Sequence, residues 1–165
     1  MECKLWKLPL FCLLAGAIAR AGSLSIISQL IHDYGEWTEQ MSVSHAAQLL
    51  FFTGILLLVL GLLARRLCDR KTCLLSMTIV AGYFVLVLIL EQITMASGTT
   101  PMLTYYLFVP TEVFSLFINS LLMVLRIPNS LFVHLPLTIA APYLLVLFTK
   151  KPSPKDQSQQ TISPT

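Results

Sequence analysis

Five long, almost charge-free stretches constrain what this chain can fold into: Leu8–Ile31, Ala46–Ala64, Leu74–Ala96, Leu103–Leu125 and Leu131–Thr149. A bilayer hydrocarbon core about 30 Å thick is crossed by roughly 20 apolar residues in a helix rising 1.5 Å per residue, and each stretch reaches that length. Inside lipid every backbone N–H and C=O must be paired within the protein, which leaves only helices and closed barrels. A barrel strand would alternate apolar and polar residues over about ten positions, whereas these stretches are continuous. The sequence therefore predicts an all-α polytopic membrane bundle of five transmembrane helices over residues 1–149. Composition agrees, since 56% of the 165 residues are hydrophobic and 12% are charged, far from a soluble domain. The end of the chain, KKPSPKDQSQQTISPT, is polar and proline-rich without apolar period, so 150–165 reads as a disordered tail.

The first stretch has a second reading. MECKLWK, then LPLFCLLAGAI, then Ala19-Arg20-Ala21 has the layout of a secretory signal peptide cleaved near residue 21. Against cleavage, an arginine sits inside the site and SLSIISQLI carries the apolar run on to Ile31, so an uncleaved helix is expected.

Orientation follows from the loops. Lys4 and Lys7 precede the first helix, His32–Ser44 contains Asp33, Glu36 and Glu39 but no lysine or arginine, and Arg65, Arg66, Arg70 and Lys71 follow the second helix. The positive-inside rule then puts the N-terminus in the cytoplasm. A fifth full crossing conflicts with this pattern, because it sends Lys150, Lys151 and Lys155 outside. The alternative is that the stretch holding Pro136 and Pro142 bends and re-enters, but 19 residues suffice to span, and five crossings are expected.

Two kinds of helix feature bear on function. In the second helix Ala47, Gly54 and Gly61 recur at intervals of seven, a stripe of small residues along which another helix backbone can approach; Ala15 and Ala19, with Gly16 beside them, make a similar pair in the first. The other feature is charge within the spans. Glu91 lies near the outer end of the third helix and Glu112 lies in the fourth, on either side of the turn SGTTP. Arg20 is near the middle of the first helix and His134 is in the fifth. Ionisable groups at such depth face the bundle interior, pair with each other, or snorkel to the headgroups. Tyr105 and Asn119 share the Glu112 stripe at seven-residue intervals. An intramembrane polar centre of Arg20, Glu91, Glu112, Tyr105, Asn119 and His134 is thus expected, with the glutamates pointing inward. In the plainer reading of the same residues, Arg20 pairs with one glutamate and fixes helix register.

Several classes find no support. The net charge is only +3 and the basic residues lie at membrane edges, so no nucleic-acid partner is expected. No HExxH, GxSxG, phosphate loop or dinucleotide turn is present, and neither an enzyme nor a cofactor or metal is predicted. The four cysteines form no CxxC pair and read as reduced thiols. The leading expectation is a small non-enzymatic accessory or regulatory partner of a membrane complex. It would sit in the lipid bilayer and present its seams to a second copy or another membrane protein. The alternative is a proton- or ion-coupled transporter or channel using the Arg20, Glu91 and Glu112 centre.

Overall fold

The computed structural model describes residues 5–34, 39–97, 102–128 and 130–149. They form an all-α bundle: α1 Lys7–Tyr34, α2 Glu39–Leu67, α3 Arg70–Ala96, α4 Met102–Leu107, a 3-10 turn Val109–Thr111, α5 Glu112–Val124, α6 Leu131–Ala140 and a 3-10 stretch Ala141–Phe148. Four segments are long and apolar enough to cross a membrane (Lys7–His32, Met41–Leu67, Arg70–Ala96 and Thr104–Val124), and Phe132–Phe148 is a shorter apolar segment. The expected SGTTP turn falls mostly, and the tail entirely, outside the described residues.

The core follows from helical spacing. Leu8, Cys12, Ala15 and Ala19 fall three and four apart on α1, as do Leu57, Leu60 and Ala64 on α2 and Cys73, Met77 and Val80 on α3; these stripes meet Val113, Phe114, Ile118 and Leu122 of α5. The opposite faces stay apolar, with Leu10, Phe51, Leu86 and Ile93 exposed, as a helix bathed in lipid requires. Hydroxyls inside the spans are satisfied locally. Thr53 donates to the Leu49 carbonyl at 2.7 Å and Thr78 to that of Leu74 at 3.0 Å.

The fourth segment departs from the continuous helix expected over 103–125. Pro110 has no N–H and its ring crowds the preceding turn, so the helix tightens to 3-10 and restarts as α5 at Glu112. In an unbroken helix the Thr111 N–H would bond the Leu107 carbonyl. Here it bonds Phe108 at 2.9 Å, and the Tyr83 hydroxyl of α3 takes the Leu107 carbonyl at 2.8 Å. The break is therefore stitched to the neighbouring helix. Its other side leans on α1, where a methyl added at Gly16 would overlap the Val109 carbonyl oxygen.

Helix α5 ends in a Schellman motif: Ile127 N–H bonds Leu122 C=O at 2.9 Å, Arg126 N–H bonds Met123 C=O at 3.1 Å, and Arg126 takes the left-handed conformation at φ 55°. Of the cysteines, Cys12 and Cys73 are buried free thiols, but Cys68 is disulfide-bonded, which corrects the expectation of reduced thiols throughout.

Candidate functional site: an intramembrane ion pair and an open helix groove

The break in the fourth segment places Glu112 in the first turn of α5, opposite α1. Arg20 reaches it, with Nη2 2.5 Å from the carboxylate Oε2 and both side chains largely buried, at 13% and 18% exposed. The guanidinium also lies under the Tyr105 ring of α4, its central carbon 4.0 Å from the ring centroid. One cation is thus held by an anion from α5 and an aromatic face from α4, on either side of the Pro110 turn. Its Nε and Nη1 are buried and have no hydrogen-bond partner among the described residues.

The remaining members of the expected centre are dispersed. Glu91 makes no ion pair among the described residues; only its backbone carbonyl is engaged, accepting from Thr94 at 2.8 Å. It lies 21 residues beyond the start of α3, about 32 Å along the helix, outward of the pair. Arg20 therefore neutralises Glu112, as in the plainer reading of these residues, while Glu91 lies at the α3 rim. Asn119 is exposed on α5, two turns along from Glu112. The His134 ring lies beside the Ser115 backbone, one turn along α5 from Glu112, and the Thr138 hydroxyl lies 3.4 Å from its Nε2. No cluster of three or more metal-ligating side chains forms among the described residues.

The small-residue stripe of α2 divides three ways. Ala47 is exposed, whereas Gly61 is buried beneath the Phe148 ring, where an added methyl would stand 2.7 Å from ring carbons. Gly54 has no atom within 4 Å of the place its side chain would occupy. It lines an apolar groove of about 520 Å³ with Phe51, Leu58, Phe117 and Leu147. Gly22 and Gly16, by contrast, are occupied within the chain, by the Phe52 ring and the Val109 carbonyl.

No protein family, curated protein or solved structure matches this chain.

Gly16 is the positioning residue that sequence reasoning undervalued. In sequence it is only a neighbour of the Ala15 and Ala19 pair, yet it allows α1 to lie against the Pro110 turn and so brings Arg20 to Glu112. The signal was available in the pairing of a mid-span glycine with a mid-span proline, but nothing in one chain says which helices face each other.

Proposed function

We propose that this is a small, multi-pass, non-enzymatic membrane protein that acts as an accessory partner, binding another helix in the bilayer along the α2 groove at Gly54. The observation that carries the reading is the contrast among the glycines. Those of α1 and Gly61 are each filled from within the chain, while Gly82 of α3 and Gly54 are open, and of these two Gly54 lies in the apolar groove, flanked by the ridges of Phe51 and Leu58. Helices associate in lipid by close backbone approach and packing, since no hydrophobic force separates them from acyl chains, and an open glycine among large side chains suits that approach. In this reading the Arg20–Glu112 pair is internal architecture, and it fixes α1 against α5 with both charges compensated. The N-terminus lies in the cytoplasm, on the side of the Arg65–Lys71 cluster.

The test is assembly in mild detergent. Wild-type protein is expected to purify with a stoichiometric second chain or as a defined oligomer, and Gly54→Leu to lose that partner while inserting and folding normally. Undiminished assembly by Gly54→Leu refutes the groove.

One observation favours the transporter reading: a helix broken in mid-span, with a charged residue in the first turn of its second half, is how many transporters build a midplane site. That reading predicts a pH-dependent flux in proteoliposomes that Glu112→Gln abolishes, and a folded, flux-free wild type rules it out.

A further inference from the structure

By length alone the last segment can cross a membrane. Ten α-helical residues at 1.5 Å and eight 3-10 residues at 2.0 Å come to about 31 Å, close to the hydrocarbon thickness. Its contacts refuse that course. Leu67 and Arg70 meet in the tight α2–α3 turn and define one end of the bundle, which carries Arg65, Arg66, Arg70 and Lys71. Besides α2 and α3, two more helices are anchored there. α1 starts at that end, since the Ser76 hydroxyl of α3 bonds the Leu5 carbonyl at 3.0 Å, and α5 finishes there at Val124, since Glu112, twelve residues earlier, pairs with Arg20, thirteen residues after the start of α1.

Depth from this basic end can be read along the helices at 1.5 Å per residue. The His134 ring meets Ser115, nine residues before Val124, at about 14 Å. The Tyr143 hydroxyl meets Thr78, eight residues after Arg70, at about 12 Å. The Phe148 ring covers Gly61, six residues before Leu67, at about 9 Å. A straight crossing would carry Phe148 about 25 Å beyond His134, towards the opposite end. Instead the whole run stays in the basic half, and its last residues lie no deeper than its first.

We infer that residues 131–148 are a re-entrant segment lying across the basic half of the bundle, so that the chain crosses the membrane four times and leaves Thr149 on the side of the Arg65–Lys71 cluster. The inference rests on packing, yet it also resolves the charge conflict. Every lysine and arginine of the chain except Arg20 then belongs to one face, and the opposite end, with Asp33, Glu36 and Glu39 in its loop, has none. The two prolines suit such a segment. Irregular backbone at membrane depth is tolerated where protein covers it, and Pro142, Leu145 and Val146 are buried.

The test uses the native chain in sealed vesicles of both orientations, treated with a membrane-impermeant amine reagent and read by peptide mass spectrometry. Lys71, exposed at the α2–α3 turn, is the reference. Lys150 and Lys151 are expected to be modified in the same vesicle population as Lys71, several-fold above the other, and to exchange with it when orientation is reversed. Modification of Lys150 and Lys151 only in the population where Lys71 is protected overturns the inference. An epitope after Thr165, probed with antibody in the same vesicles, gives an independent reading: accessibility alongside Lys71 supports the re-entrant course, and accessibility opposite to it refutes it. Because Leu147 of this segment lines the Gly54 groove, a full crossing would also remove one wall of that groove, whereas Gly54→Leu tests the groove without bearing on the course of the segment.

Discussion

At the scale of single residues the chain carries two local costs, and each makes a measurable prediction. Arg126 holds φ 55° to close the Schellman motif of α5, a conformation that costs a side-chain-bearing residue about 1 kcal/mol relative to glycine. Arg126→Gly is therefore expected to raise resistance to denaturation in detergent by about 1 kcal/mol, and a lower stability would show that the arginine side chain contributes more than its backbone costs. The second cost is the buried Arg20–Glu112 pair. Each charge has the other to offset its desolvation, so Glu112→Gln or Arg20→Met alone strands one ion and should destabilise by about 3 kcal/mol. Replacing both by apolar residues of similar volume should restore most of the loss. A double-mutant cycle in a thermal or denaturant assay decides this, and additive losses would mean that the pair is not coupled.

At the scale of elements, the break at Pro110 joins three helices, and its support is specific. Tyr83 supplies the hydrogen bond that the tightened turn withholds from Leu107, so Tyr83→Phe should cost about 1 kcal/mol by leaving a partly buried carbonyl unpaired. Gly16→Ala should cost more, because the added methyl meets rigid backbone at Val109 and not a flexible side chain; it should also weaken the Arg20–Glu112 coupling measured in the same cycle. The sequence showed these elements unevenly. The first three spans were legible because length and hydropathy determine a membrane helix almost alone, and α1, α2 and α3 cover the expected stretches with extensions at their ends. The break at Pro110 was not read, because proline is tolerated within membrane helices and its effect depends on whether a neighbour such as Tyr83 is placed to receive the freed carbonyl. The six-residue polar centre was half legible for a related reason. Depth along a helix follows from residue number, but rotation and neighbour do not, and so Arg20, Glu112 and Tyr105 came together while Glu91 and Asn119 remained apart.

At the scale of the whole molecule, the stripe Ala47, Gly54, Gly61 looks uniform in sequence and is split by the course of the last segment. Phe148 fills the notch at Gly61 and leaves that at Gly54 open, so the same substitution at the two sites should fail in different ways. Gly61→Leu drives a side chain into the Phe148 ring and should detach the terminal segment from α2. The expected readouts are a lower melting temperature in detergent and faster proteolysis within 131–149, with assembly lost only as a consequence of unfolding. Gly54→Leu places the same side chain in open groove and should leave melting temperature and proteolysis near wild type while removing the partner. Melting curves and assembly mass for both variants separate the cases. Equal loss of stability would show that the groove at Gly54 is closed in the native membrane protein, and retention of the partner by Gly54→Leu would move the docking surface elsewhere. The split pattern would instead show that one helix face serves two purposes, its basic half folded under by the chain's own re-entrant segment and its middle left for another protein.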